Sequence, residues 1–314
     1  MSPLTVEKHA AAAGTSGFLR QQRPRHGEKL VFVVLLTAAL VSVVTTIGIV
    51  ISLVVPSLEF FSEVPLQDFL FGTDWAPNFE PPSFGVVPLV VGTLLITVIA
   101  SVVALPLGLG SALYLSEYAH PKARKTLKPM LEILAGIPTV VYGFFALTFF
   151  TPVIRWFLPQ TEIFNALSAG LIMGVMIIPT VASLSEDAMA AVPNALRQGA
   201  FALGSNKRQV STKVVIPAAL SGIAAAFILG ISRAIGETMI VTVAAGLQPS
   251  LSLNPLVGTE TMTAFIASSA GGDIATGSTI YKTIFAVGLL LFIATYAMNM
   301  VSVRLVRKYR EVYE

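Results

Sequence analysis

Cysteine is absent from this 314-residue chain, and only three histidines occur. Disulfides, thiolate metal sites and cysteine nucleophiles are therefore excluded. The histidines, His9, His26 and His120, all lie in polar segments, which excludes a histidine cluster within an apolar region. The sequence also lacks a GxxxxGK[ST] phosphate-binding loop, a His-Glu-x-x-His pair and a recognisable Ser/His/Asp arrangement. We therefore expect this chain neither to bind ATP nor to act as an enzyme.

Charged residues are scarce at 12%, whereas hydrophobic residues make up 54% and the mean hydropathy is +0.79. A soluble domain needs far less apolar material, so this composition indicates an all-α integral membrane protein. Apolar runs occur at about residues 30–55, 86–115, 130–154, 166–184, 216–245 and 283–303. Because about 20 helical residues cross a bilayer core of ~30 Å, these runs predict six transmembrane helices.

The basic residues predict the orientation of these spans. Most of the 20 Lys and Arg residues lie in the N-terminal tail, residues 116–129, residues 185–215 and the C-terminal end, whereas residues 56–85 contain only acidic charges. Since basic residues accumulate on the cytoplasmic side, both termini should be cytoplasmic and residues 56–85 outside. Residues 1–29 are interpreted as a disordered basic tail and residues 30–314 as one six-span domain. The same distribution explains the net charge of +3, so membrane lipid and not nucleic acid is expected as a partner.

Two charged residues, Arg233 and Glu237, lie inside the fifth apolar run. Charges at this depth are costly and usually face the interior of a helix bundle or a water-filled path. Small residues recur every fourth position along the run: Ala218, Gly222, Ala226, Gly230 and Ala234. On a continuous helix both charges project near the middle of this close-packing stripe. They form either a purely structural intrahelical ion pair or a polar point on a transport pathway, and we favour the pathway.

The polar connection at residues 185–215 contains a second candidate element. Asn194 is a good residue to cap a helix start, and Gly204 suits a left-handed turn at its end. We therefore predict a cytoplasmic helix of two or three turns that presents Leu196, Ala200 and Leu203 on one side. Such a helix could rest on lipid headgroups, but its small size favours insertion into a groove of a partner protein.

Residues 198–217 resemble the signature of bacterial ABC-importer permeases: Glu-Ala-Ala, three residues, Gly, nine residues, then Ile-x-Leu-Pro. The matching positions here are Gln198, Gly199, Ala200, Gly204, Val214, Ile216 and Pro217. The spacing is complete, but Gln198 replaces Glu and Gly199 replaces Ala, which removes one expected acidic contact. The resemblance implies that a cytoplasmic ATPase couples to this segment through Asn194, Leu196, Arg197, Gln198, Gly199, Ala200, Leu203, Gly204 and Pro217.

Further stretches resemble permeases of the phosphate-specific (Pst) ABC importers. Residues 131–143, LEILAGIPTVVYG, are similar to their third-span motif, and residues 233–239, RAIGETM, to their fifth-span motif. The Met after Glu-Thr and the outer stretch FGTDWAP at residues 71–77 favour the PstC-type subunit. Sulfate and molybdate permeases share the Arg-Ala-x-Gly-Glu pattern, so another tetrahedral oxyanion is the alternative substrate.

The resemblance implies a type I ABC-importer permease fold in the inner (cell) membrane that transports inorganic phosphate. The implied partners are a PstA-type permease forming the other half of the pathway, a PstB-type ATPase dimer and a PstS-type phosphate-binding protein. ATP and Mg would bind to the ATPase, and no cofactor is expected in this chain. The implied pathway residues are Arg233, Glu237, Thr238, Thr139 and Tyr142.

The chemistry of these residues fits an oxyanion. A guanidinium at Arg233 matches the geometry of phosphate. Glu237 could hold Arg233 in place or accept a hydrogen bond from a protonated phosphate oxygen. Thr139 and Tyr142 either line the path or bond to helix backbones and neighbouring side chains.

Two other classes of protein compete with this interpretation. A secondary transporter or channel needs no ATPase, so the ATPase-docking signature argues against it. A membrane-anchored sensory subunit would carry a large cytoplasmic signalling domain, for which the sequence leaves no room.

Overall fold

The computed structural model describes residues 26–308. The chain divides into two units at Ile51 and Ser52: the first contains the beginning of helix α1, and the second contains all later elements. Residues 1–25 of the predicted tail lie outside the described part of the chain, whereas residues 26–29 already belong to α1.

The described residues are almost entirely helical. In chain order the helices are α1 (His26–Glu63), α2 (Leu66–Phe71), α3 (Val87–Leu113), α4 (Pro121–Ala135), α5 (Thr139–Phe145), α6 (Thr151–Phe157), α7 (Ala166–Ala190), α8 (Asn194–Ala202), α9 (Lys207–Val210), α10 (Ile216–Ala218), α11 (Leu220–Ile235), α12 (Met239–Ala244), α13 (Met262–Ala270) and α14 (Thr279–Lys308). Short π-helical segments follow α3 (Tyr114–Tyr118), α5 (Ala146–Phe150) and α9 (Ser211–Val215). Strands β1 (Trp75–Ala76) and β2 (Ser83–Phe84) form an antiparallel hairpin in which Trp75 pairs with Phe84.

Five helical segments of the described chain are long and apolar enough to cross a membrane: Lys29–Glu63, Val87–Tyr118, Thr139–Phe157, Ala166–Ala190 and Thr279–Arg304. The segments Lys207–Ala218 and Leu220–Ile235 meet at an angle of 72° and together supply a sixth. The predicted number of six spans therefore holds when this bent pair crosses as one span. Which side the termini face remains a prediction.

The predicted outer loop at residues 56–85 is more ordered than expected. Helix α1 continues through Pro56 to Glu63, because Phe60 packs edge-on against Phe69 and Phe84 with ring centroids 5.6 and 5.5 Å apart. Trp75 joins the same aromatic cluster through Phe69. Aromatic packing thus folds the loop back onto the helices.

The predicted third span, residues 130–154, is displaced. Helix α4 is amphipathic and is separate from the span. The helical structure is interrupted at residues 136–138, and the span begins at Thr139. Pro138 lacks a backbone N–H and disfavours a helical residue before it, which explains the break. The basic residues of α4 thus remain outside the span.

Helices α3 and α7 form the centre of the bundle, and glycine permits their close approach. A Cβ atom added to Gly170 would lie 2.7 Å from Ile99, and one added to Gly174 would lie 2.8 Å from Val103. On α11, Gly222 faces Ala188 and Gly230 faces Val181, both on α7. The glycines of the predicted small-residue stripe therefore lie on a helix-packing face, as predicted, whereas Ala218 belongs to α10 before the bend.

Candidate functional site

The fifth apolar run is interrupted at its charged residues. Helix α11 ends at Ile235, and residues 236–238 separate it from α12. The Glu237 side chain is buried, and its Oε1 accepts hydrogen bonds from the backbone N–H groups of Met239 (3.1 Å) and Ile240 (3.3 Å). The carboxylate thus satisfies orphan donors at the start of α12. The expectation that Arg233 and Glu237 share one helical face is wrong, because the helix ends before residue 237.

Arg233 lies in the last turn of α11 and reaches across to α7. Its Nη1 donates to Thr180 Oγ1 over 2.9 Å. It forms no ion pair with any acidic residue in the described part of the chain, so the intrahelical pair with Glu237 is absent. A guanidinium carries five N–H donors, and the described residues engage only one donor group of Arg233, Nη1.

The predicted residues of the third span lie beside this break. Tyr142 on α5 belongs to the same buried cluster as Ala234 and Ile240. Its hydroxyl donates to the Leu134 carbonyl across the α4–α5 break over 2.8 Å, which agrees with the backbone-bonding alternative. Thr139, the first residue of α5, is half-buried.

Helix α5 also packs directly on α12. A Cβ atom added to Gly143 would lie 3.2 Å from the Met239 carbonyl oxygen. Thr238 is half-buried, and its hydroxyl donates to the Gly236 carbonyl at 3.4 Å. The fold thus gathers Arg233, Glu237, Thr238 and Tyr142 around one helix break, and Thr139 begins the helix that carries Tyr142.

A threonine-rich turn that the sequence analysis does not predict supports the break from the other side. Thr259, Glu260, Thr261 and Thr263 are all buried. Thr263 Oγ1 donates to the Glu237 carbonyl oxygen over 2.7 Å. The residues of this turn lie between the fifth and sixth apolar runs, and the Glu-Thr-Met sequence at residues 260–262 repeats that at residues 237–239, which is the signal in the sequence that could have marked them.

Helix α8 forms where the sequence predicts it. It ends at Ala202, and Gly204 adopts the expected left-handed conformation with a φ of 83°. Asn194 does not cap it, because Pro193 is the residue before the first turn. The Asn194 Oδ1 instead accepts from Arg197 Nη1 over 3.2 Å.

The exposed apolar side of α8 differs from the prediction. Leu203 is 89% exposed, and Phe201 and Leu196 are also exposed, whereas Ala200 packs against the cluster that contains Val210 and Val215. The expected surface of Leu196, Ala200 and Leu203 is therefore divided. Gln198, Gly199 and Pro217 are exposed, with Pro217 just before the 72° bend.

The Arg197 side chain is directed toward the interior of the protein. Its Nη2 lies 3.1 Å from a carboxylate oxygen of Glu117 and donates to the Met189 carbonyl over 2.8 Å, and its Nη1 donates to the Val192 carbonyl. The side chain therefore joins α8 to the ends of α3 and α7.

A second cluster ties α4 to the same end of α7. Glu186 is fully buried. Its carboxylate forms ion pairs with Lys128 Nζ, at 2.7 Å, and with the Arg124 guanidinium. Hydrogen bonds to Glu186 and Asp187 raise the pKa of Lys128, and the bond to Glu186 has the larger effect. No group of three His, Asp or Glu side chains suited to a metal ion occurs in the described residues.

Comparison with known proteins identifies the family. Residues 104–310 match the family described as binding-protein-dependent transport system inner membrane component. The chain is 35% identical over 260 residues to the probable ABC transporter permease protein YqgH of Bacillus subtilis (strain 168), covering 82% of this chain and 84% of that protein. It is 32% identical over 296 residues to the phosphate transport system permease protein PstC of Pasteurella multocida (strain Pm70), with coverages of 87% and 86%.

Solved structures share the fold. A chain of the bacterial alginate ABC transporter, in complex with an alginate pentasaccharide-bound periplasmic protein, aligns with a TM-score of 0.65 at 15% identity, covering 90% of this chain and 95% of that one. A chain of the inward-facing MetNI methionine ABC transporter aligns with a TM-score of 0.53 at 21% identity, with coverages of 72% and 95%. The predicted permease fold, inner-membrane localisation and resemblance to PstC are confirmed. The chain therefore belongs to the binding-protein-dependent inner membrane permeases of ABC importers, a family of transporter subunits that includes its PstC relatives.

Proposed function

We propose that this chain is the PstC-type permease subunit of an ATP-driven importer of inorganic phosphate. Sequence identity to PstC over most of the chain supports this assignment. A PstA-type permease would complete the pathway, a PstB-type ATPase dimer would bind ATP and Mg, and a PstS-type protein would deliver phosphate. No cofactor is assigned to this chain.

The proposal rests mainly on the observation that Arg233 has no acidic partner among the described residues. Arg233 is half-buried at the end of α11, and Thr180 of α7 is its hydrogen-bond partner among the described residues. Because no described carboxylate neutralises it, its charge and its remaining donors are available to an oxyanion. Arg233 is thus the residue that attracts phosphate into the pathway.

Glu237 acts differently from a direct ligand. Its carboxylate is engaged by the backbone N–H groups of Met239 and Ile240, so it fixes the helix break that positions Arg233. The capping bonds stabilise its negative charge beside the route of an anion. Thr238 and Thr139 would offer hydroxyl groups along this route, and Tyr142 would position the neighbouring helix through its bond to Leu134.

Coupling to ATP hydrolysis follows from helix α8. Leu203 and Phe201 offer exposed apolar surface to an ATPase groove. Arg197 then passes a displacement of α8 to the end of α7, the helix that carries Thr180. The ATPase site and the proposed phosphate site are thereby joined through one helix.

Uptake of labelled phosphate tests whether phosphate is the substrate. A strain lacking this gene should lose high-affinity phosphate uptake and regain it on complementation. Excess unlabelled phosphate should compete with the label, whereas sulfate and molybdate should not. Competition by sulfate or molybdate at equal concentration would favour the alternative oxyanion and contradict the phosphate assignment.

A further inference from the structure

A cavity of about 520 Å³ lies between the β1–β2 hairpin and helix α13. Its wall includes Trp75, Phe79, Glu260, Phe265 and Asp273. The volume is within the range of roughly 300–1,000 Å³ that is usual for small-ligand sites. The hairpin belongs to the segment predicted to lie outside the cell, so the cavity would open to the extracytoplasmic side.

Glu260 is held rigidly in this wall. The N–H of Thr259 donates to the Ala245 carbonyl over 2.9 Å, and the N–H of Met262 donates to Thr93 Oγ1 over 3.1 Å. Gly92 permits the close contact with α3, because a Cβ atom there would lie 2.2 Å from the Glu260 carbonyl oxygen. The backbone therefore fixes where the Glu260 side chain starts.

The Glu260 carboxyl is unpaired among the residues that the structure describes. The residue is only 5% exposed, and no described side chain or backbone group forms a hydrogen bond or ion pair with its carboxylate. Burial raises the pKa of this carboxyl to about 7. Because a buried unpaired carboxylate is costly, a positively charged group entering the cavity would be strongly favoured.

The rest of the wall is suited to such a cation. Trp75 and Phe265 pack edge-to-face with ring centroids 4.8 Å apart, and Phe79 is largely exposed near them. Asp273 is the other charged residue of the described lining, and no Lys or Arg lies in that lining. Aromatic surface combined with carboxylates attracts organic cations, whereas phosphate would meet only negative charge.

We propose that this cavity binds an alkylammonium or guanidinium group, with Glu260 as its ion-pair partner. The group is either a free amine or a Lys or Arg side chain of the extracytoplasmic solute-binding protein. The second source rests on the proposed function, whereas the chemistry of the site does not.

Tryptophan fluorescence provides the test. The chain has two tryptophans, so Trp156→Phe leaves Trp75 in the cavity wall as the reporter. The full chain in lipid nanodiscs is titrated with guanidinium or propylammonium at constant ionic strength, with urea as the neutral isostere of guanidinium. We expect a saturable, cation-specific change. Glu260→Gln should weaken binding roughly tenfold or more, since the ion-pair partner is lost, whereas Asp68→Asn on the exposed outer surface should not.

The pH dependence has a defined sign. The Glu260 carboxyl ionises above its pKa, so the cation should bind more tightly at pH 8 than at pH 6. An equal response to urea, or unchanged affinity in Glu260→Gln, overturns the proposal. Loss of the cation signal on adding the solute-binding protein assigns the site to that protein's side chain, and persistence assigns it to a free amine. Phosphate uptake is not the readout, so this test and the transport test fail independently.

Discussion

The Arg197 guanidinium lies 3.1 Å from a carboxylate oxygen of Glu117, a residue that precedes it by 80 positions in the sequence. Both side chains are largely buried, with 15% and 9% of their surfaces exposed. The pair joins the helix that we propose for ATPase docking with the end of the observed span Val87–Tyr118. Arg197 is thus an internal connection and not a surface contact.

Replacing Arg197 should weaken this connection. Arg197→Ala leaves the Glu117 carboxylate buried without its cation, which we expect to destabilise the fold by about 3 kcal/mol. Arg197→Lys should retain only part of the stability, because one ammonium cannot bind Glu117 and two carbonyls in the geometry of a guanidinium. Thermal unfolding in nanodiscs measures the effect.

The exposed Arg208, which forms no ion pair with the described residues, provides the matched control for this series. Arg208→Ala should unfold at the parental temperature. A double-mutant cycle with Glu117→Gln should show strong coupling to Arg197. If Arg197→Ala is as stable as the parent and transports normally, the connection has no role.

The exposed side of α8 should dock the ATPase. Leu203→Asp and Phe201→Asp place a charge in the apolar contact, so uptake should fall strongly while the amount of protein in the membrane stays normal. Co-purification of the ATPase with the permease measures docking directly.

Ala200→Asp separates docking from folding. Since Ala200 packs against the cluster with Val210 and Val215, this change should lower the amount of folded protein as well as uptake. Unchanged ATPase co-purification and uptake in Leu203→Asp would exclude α8 as the docking element.

Arg233 should be indispensable to transport. Arg233→Gln removes the charge that attracts the oxyanion, and we expect phosphate uptake to be lost although the protein still inserts and assembles. Glu237→Gln should retain measurable uptake, because an amide oxygen still accepts from the N–H groups of Met239 and Ile240. Radiolabelled uptake and membrane abundance are measured together.

The double variant Arg233→Gln/Glu237→Gln distinguishes the two roles. A purely structural pair would tolerate loss of both charges better than loss of one. We expect the double variant to be as inactive as Arg233→Gln. Near-parental uptake by the double variant would show that the charges matter only to each other.

The orientation of the chain can be tested with single cysteines, because the parent has none. Cysteines at Asp74 and Lys125, both exposed, should react with an impermeant thiol reagent from opposite faces of the membrane. Asp74 should label in intact cells, and Lys125 only after permeabilisation. Labelling of both in intact cells would contradict the predicted topology.

The sequence by itself determined the class of protein, the approximate place of most spans and the position of helix α8. Length and apolarity are enough for the spans, since a bilayer accepts little else. Helix α8 was predictable because Gly204 provides a local stop signal that depends on few distant contacts.

Only the tertiary structure decided what the charged side chains bind. The prediction of a shared face for Arg233 and Glu237 required one continuous helix through residue 237. The helix is interrupted there, because the Glu237 carboxylate accepts hydrogen bonds from the first N–H groups of α12. Arg197 was predicted to face the ATPase, yet its partner Glu117 comes from a distant part of the chain. Glu260 lies outside the six apolar runs, and its burial depends on Gly92 and Thr93 of α3. Spacing along a sequence fixes neighbours within a helix, whereas pairing between helices depends on packing that no local pattern contains.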